Sequence, residues 1–266
     1  MLTLNNIDNN EWCFNEPDYI GEHIDSFYES MELINAGELE ASENILREQI
    51  NDCYYHIDAI HYLALIAKQR KMELEHLLLE KEAVFRALEN APLEFSLENS
   101  KLEYINLENR PFLRAYHGLG LAYFHSGQTV LANEVFSNLL SLNPNDNQGV
   151  RALAIECGFV LKQPDMVIGI CERFPDDCMV ETLYGYPLAL FQIGMNGKAM
   201  KHLTTAKKLK PLVAESLLAK IQKVHNATDG YIMSDGKDEA FMYRVRSMKF
   251  WESTPQALEL LKRVPG

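Results

Sequence analysis

The sequence predicts an all-α fold, a TPR-like right-handed solenoid of about five helix-turn-helix units with a helical C-terminal cap. Three observations lead to it. Apolar residues return every three or four positions along most of the chain, the period of one helix face. Alternating Val/Ile/Thr runs joined by hairpin turns do not appear, so the chain reads as helical throughout. Large, small and turn residues recur at matching offsets, and units of that kind bury their apolar faces only by stacking on their neighbours.

In chain order, residues 1–20 form an N-terminal arm, rich in Asn and acid up to Trp12. Degenerate helical repeats follow over 21–110. The first, Phe27 to Gln49, turns at Gly37 and sets Leu33 and Leu46 on facing helices. The second, Ile57 to Asn90, gives two amphipathic helices around Lys71-Met72. From Ala91 to Arg110 the residues Pro92, Ser96, Asn99 and Ser100 break the register, which predicts an insertion or a short extra helix.

Well-formed repeats occupy 111–211. From Leu113 the sequence places Tyr116, Leu119, Gly120, Tyr123, Gly127, Ala132, Phe136, Leu139 and Pro144 at the offsets of a unit of about 34 residues. Gly120 and Ala132 are small where two antiparallel helices approach closely, the rings fill the space beside them, and Gly127 ends the first helix. Pro144 stops the second. A later unit matches with Leu183, Leu190, Gly194, Ala199, Leu203, Ala206 and Pro211. Between them, 147–178 makes a shorter unit, with Val150, Leu153 and Cys157 on its first helix, Pro164-Asp165 opening its second and Phe174-Pro175-Asp176-Asp177 closing it.

The last part, 212–266, predicts a helix from Val213 to His225, a loop from Asn226 to Gly236, and a helix from Lys237 to Trp251 capped by Ser234 or Asp235. Thr254-Pro255 then pairs an N-cap with a first-turn proline to begin a terminal cap, whose Glu259, Lys262 and Arg263 supply a polar outer face.

The runs Leu107-Glu108-Asn109-Arg110-Pro111-Phe112-Leu113-Arg114-Ala115-Tyr116-His117-Gly118 and Leu142-Asn143-Pro144-Asn145-Asp146-Asn147-Gln148-Gly149-Val150-Arg151 resemble a group of bacterial tetratricopeptide (TPR) repeat proteins. Those are similar in this region to the suppressor-of-tumorigenicity repeat family. The resemblance spans about 107–206 and resumes at Lys237-Asp238-Glu239-Ala240 and at Trp251 to Leu258. It implies a fold and no reaction. Tyr186-Pro187 departs from the pattern, which predicts a late start or a kink in that helix.

Composition narrows the function. Lys and Arg number 25 against 38 Asp and Glu, and the net charge of −13 opposes non-specific attraction to nucleic acid or anionic membrane. The longest apolar runs, such as Leu63 to Ala67, fall far short of the ~20 residues that span a bilayer. Met1 to Trp12 lack the basic and apolar regions of a secretory signal, so a cytoplasmic location is expected. Cys13, Cys53, Cys157, Cys171 and Cys178 form no Cys-x-x-Cys pair and read as reduced thiols. Outside an export route the sequon Asn226-Ala227-Thr228 carries little weight.

In stacked units of this kind the first helices line a groove. Counting from the small residue of each unit puts His61, His117, Arg151 and Tyr184 at one inward position, with Arg114 a turn before His117. Arg114, His117 and Arg151 predict recognition of an acidic peptide or a C-terminal carboxylate. Arg110, Asn143 and Asp146 form a polar junction, where caps and turn bonds explain the amides and carboxylate without a ligand. A small anionic ligand held there is the alternative.

No catalytic set emerges. Gly118-Leu119-Gly120 lacks a third glycine and a preceding strand, so it reads as helix packing rather than a dinucleotide loop. His76 and Glu80 lack the second histidine of a zinc-protease motif, and His117 and His125 are two turns apart. Cys171 and Cys178 read as buried small residues, and most of the Tyr and Phe rings as core. No metal or cofactor is expected. The function predicted is a non-catalytic scaffold for a protein or peptide partner. The alternative is a regulatory or enzymatic domain binding a small anion at the junction.

Overall fold

A computed structural model describes residues 1–220 and 235–265. They form two compact units, Met1–Val150 and Arg151–Gly266. Helices dominate both, as the repeat pattern predicts.

The first unit opens with a feature that helical periodicity did not predict. Strands β1 (Thr3–Asp8) and β2 (Glu11–Asn15) pair antiparallel, with Leu4 opposite Phe14 and Asn6 opposite Trp12. The signal is short: Leu2, Leu4, Trp12 and Phe14 alternate with exposed or half-buried residues and are themselves buried. At the tip Asn9 and Asn10 take φ of 30° and 67°, a backbone that asparagine tolerates in tight hairpins. The segment after residue 90 is the hairpin's partner. Trp12 N–H donates to the Lys101 carbonyl at 2.8 Å, and Lys101 N–H donates to Asn10 at 2.9 Å. Asn109, fully buried, accepts from Phe14 N–H at 3.0 Å and donates to the Trp12 carbonyl at 3.2 Å. The predicted break in register is thus an insertion that holds the N-terminal hairpin.

Helices α1 (Asp18–Glu22), α2 (Ile24–Ala36), α3 (Leu39–Asp52), α4 (Ile57–Gln69) and α5 (Glu73–Leu88) follow. After a 3-10 turn at Leu107–Asn109 come α6 (Arg110–His125) and α7 (Thr129–Leu142). Within the pairs α2/α3, α4/α5 and α6/α7 the helices pack on one another, and α4 and α5 also pack on α6. Gly37 and Gly127 turn two of the pairs in left-handed backbone, at φ 83° and 77°. Lys71 does so at φ 61° without glycine's freedom. Gly120 has the close-approach role read from the sequence, since a Cβ there would lie 2.4 Å from Phe136 Cε1.

The second unit contains α8 (Val150–Val160), α9 (Pro164–Arg173), α10 (Val180–Gln192), α11 (Asn196–Leu209), α12 (Pro211–Leu218), α13 (Lys237–Ser253) and α14 (Ala257–Arg263). Helix α10 starts at Val180 and runs through the buried Pro187, so the late start expected from Tyr186-Pro187 does not occur. Trp251 is fully buried and donates to the Tyr243 hydroxyl at 3.2 Å. Two expected caps differ. Gly236 rather than Asp235 precedes α13, because Asp235 pairs with Lys210 at 2.8 Å. Thr254 bonds back to the Phe250 carbonyl at 2.7 Å, and α14 begins after Gln256. The expected end of the Val213 helix, Ser234 and the Asn226 sequon lie outside the described residues.

Candidate binding cleft

In the first unit the first helices of the pairs, α2, α4 and α6, enclose a cleft of about 330 Å³ together with α1 and the 3-10 turn. Ile20, Ile24, Phe27, Tyr28 and Met31 form its apolar wall. Facing them are Glu16, His56, Asp58, Tyr62, Glu108, Arg110 and Arg114. Pro111, in the first turn of α6, needs no hydrogen-bond partner for its nitrogen and starts the helix that carries Arg114.

Arg114 and Asp58 form a fork-to-fork pair. Arg114 Nε donates to Asp58 Oδ1 at 2.9 Å, and Nη2 reaches Oδ2. The two residues come from α6 and from the first turn of α4, which explains why sequence spacing did not reveal the pair. It leaves the Arg114 charge neutralised. Glu16 has the opposite problem: burial, then Asp58 and Glu108, push its carboxyl up to about 7 against the partial relief of Arg114.

His56 begins α4, and its Nδ1 accepts from Ala59 N–H at 3.3 Å. The neutral ring therefore carries its proton on Nε2, a buried donor with no partner among the described residues. Burial holds the His56 pKa down to about 4, which keeps the ring neutral. Phe27 packs between His56 and Tyr62 at centroid distances of 5.2 and 5.4 Å. The sequence reading did not single out Glu16, His56, Asp58 or Tyr62. Only a helix beginning at Ile57 was visible there.

Of the residues expected to line a groove, Arg114 is in the cleft, and His61 and His117 are not among its lining residues. His61 Nδ1 is 3.0 Å from both Glu80 carboxylate oxygens. His117, its Nε2 buried without a hydrogen-bond partner among the described residues, is held below its ordinary pKa by burial. Arg151 belongs to the second unit, where it pairs with Asp177 at 2.8 and 2.9 Å and lies 4.9 Å over the Phe174 ring. Tyr184 is corrected from groove to core: it is fully buried and its hydroxyl donates to the Lys210 carbonyl at 2.8 Å. An inward position counted from a small residue does not distinguish a groove from the packing beneath it.

At the polar junction Asp146 has the capping geometry read from the sequence, accepting from Val150 N–H at 2.7 Å with φ of 47°. Asn143 is buried at the end of α7, and its carbonyl accepts from Asp146 N–H at 2.9 Å. Arg110 turns to Tyr104, donating to its carbonyl at 2.9 Å with the guanidinium 4.6 Å over the ring. Cys171 is buried as expected, whereas Cys178 is exposed. Among the described residues no group of three or more His, Cys, Asp or Glu is placed to hold a metal ion, and no helix is long and apolar enough to cross a membrane.

Paired helices with left-handed turns and a cleft among the first helices define a helical-repeat protein of the tetratricopeptide type. Solved structures share that fold. YrrB, described as a TPR protein with an unusual peptide-binding site, matches at a TM-score of 0.52 and 16% identity over 73% of this chain and 91% of its own. MamA matches at 0.51 and 13% identity over 70% of this chain and 96% of its own. At such identities the likeness is one of fold. The chain belongs to the transcriptional repressor TCF25 family, whose model matches residues 29–263. That placement differs from the suppressor-of-tumorigenicity likeness of the central strings, while the repeat architecture is as expected. Among curated proteins no match was found.

Proposed function

We propose that this chain is a non-catalytic interaction module and that the α2/α4/α6 cleft receives a peptide segment or helix of a protein partner. The cleft itself carries the reading: it is lined by an apolar wall with a 55% exposed tyrosine, Tyr28, together with fixed charges and His56, a buried N–H donor that has no partner among the described residues. Peptide grooves need that combination, apolar area for affinity and a few oriented polar groups for register. YrrB's description as a peptide binder supports the reading, as does the net charge of −13, which disfavours direct contact with a polyanion. A role in transcriptional repression, the activity in the family's name, is then exercised through protein contacts. Arg114 remains part of the site as the partner of Asp58, and the small-anion alternative gains no support from Arg110 and Asp146, which already bond within the chain.

Selection of a phage-displayed random peptide library on the full chain tests this. Enriched peptides are expected to bind the native protein and to lose binding to Tyr28→Glu, whose exposed position leaves the fold intact by circular dichroism. Equal binding to the variant, or no enrichment at all, overturns the assignment of the cleft.

A further inference from the structure

The polarity of this cleft is the reverse of what the arginines of the sequence suggest. Of its two cations, Arg114 is neutralised through both arms by Asp58, and Arg110 is drawn over Tyr104. Of its three carboxylates, Asp58 is the one so paired. Glu16 and Glu108 make no ion pair among the described residues, and Glu108 disfavours the charge of Glu16. Arg114 is the cation that offsets the field at Glu16, and it does not cancel it.

An incoming carboxylate would add a like charge to a half-buried carboxyl group already resisting ionisation. An incoming cation removes that penalty and restores the Glu16 charge. The aromatic side of the cleft fits the same occupant, because Tyr28, Phe27 and Tyr62 offer ring faces and edges to an alkyl stem and its cationic head. The second polar group points the same way. His56, 1% exposed, is among the residues lining the cleft, and its Nε2–H has no hydrogen-bond partner among the described residues; a neutral donor calls for an uncharged acceptor such as a main-chain carbonyl.

We propose that the cleft selects its partner segment by a lysine or arginine side chain, taken between Glu16 and Glu108 with its stem against Tyr28 and Phe27, while His56 Nε2–H donates to a main-chain carbonyl of that segment. This inference rests on the cleft being a peptide site at all. It commits to a basic residue where the sequence alone suggested an acidic peptide.

The test uses four immobilised peptide sublibraries with randomised flanks and one central residue fixed as Arg, Lys, Gln or Glu, applied to the full chain. The Arg and Lys sublibraries are expected to retain the protein most and the Glu sublibrary least. The Glu16→Gln/Glu108→Gln double variant, folded by circular dichroism, should lose that preference by about tenfold. Preference for Glu, or no preference, overturns the cation while leaving the peptide cleft standing. Retention by none of the four overturns both. N-acetyl-arginine methylamide serves as the positional probe. Titrated into isotope-labelled protein, it is expected to shift the His56 Nε2–H resonance, and shifts that leave His56 untouched remove it from the site.

Discussion

His61 and Glu80 meet at 3.0 Å inside the first unit, His61 Nδ1 equidistant from both carboxylate oxygens, and Glu80 is 0% exposed. His76 Nε2 stands 3.6 Å away on the same helix as Glu80. A carboxyl group so placed has no water to fall back on, and its burial is tolerable only because these two rings answer it. The contact ties α4 to α5 and lies directly under α6. His61→Ala should therefore leave Glu80 without its nearest partner and cost about 3–5 kcal/mol, the range for breaking a buried pair. Replacing both groups, as His61→Leu/Glu80→Leu, should cost less than the single change. Urea denaturation of the three proteins checks this, and a double variant less stable than His61→Ala would deny the pairing its role.

Gly118 is the α6 residue over that carboxylate. A Cβ there would lie 2.2 Å from Glu80 Oε1, so a methyl group must displace a buried, hydrogen-bonded carboxylate. Gly118→Ala is expected to destabilise by about 1–3 kcal/mol despite alanine's better helix propensity. Gly169 on α9 has nothing within 4 Å of its Cβ position, and Gly169→Ala should be neutral or stabilise by up to about 1 kcal/mol. The pair of melting curves separates close approach from propensity.

These glycines show what the sequence made legible. Turn glycines, small residues facing rings and apolar periodicity are local signals, and they located the helix pairs and the Gly120–Phe136 approach. The hairpin escaped because its strands are short and its turn uses Asn9-Asn10 rather than glycine. Lys71-Met72 was placed between its two helices by periodicity, whereas Lys162 escaped as a turn residue because it takes φ of 57° against the preference of its side chain. The cleft was half legible. Arg110 and Arg114 were visible as charges, but Arg110 turns back on Tyr104 six residues earlier, and Asp58, the partner of Arg114, is set by how repeats stack. A charge whose partner lies in another repeat reads as free. Glu16 and His56 gain their properties chiefly from burial, which no spacing records.

Two shifted groups of the cleft, Glu16 and His56, act on stability in opposite directions over one pH range. Glu16 is raised from an ordinary 4.5 to about 7, so the fold favours its protonated form. That contribution is full below 4.5 and is lost as pH rises through about 7. His56 is lowered from 6.5 to about 4, so the fold favours its neutral form. Its contribution is full above 6.5 and is lost as pH falls through about 4. Between those limits the two slopes offset one another. Glu16→Gln removes the first and should give a stability that rises more steeply with pH between about 4.5 and 7 than that of the native chain. Denaturant midpoints at pH 5, 6 and 7 measure the difference, and parallel curves would contradict the Glu16 assignment.

Arg114 is the link between this titration and binding. It offsets the carboxylate field at Glu16 while its own charge is held by Asp58, so its effect on a ligand is indirect. Arg114→Gln should leave Asp58 unpaired, cost about 1–3 kcal/mol for the lost charged hydrogen bonds, and move the Glu16 titration to still higher pH. Capture of a peptide would then weaken most near neutral pH, where fewer Glu16 groups are ionised, and recover as pH rises. Direct contact between Arg114 and a peptide carboxylate predicts a loss independent of pH in that range. Following the Glu16 side chain by NMR alongside binding at pH 6, 7 and 8 separates the two: recovery in step with Glu16 ionisation places Arg114 behind the site, and a uniform loss places it within.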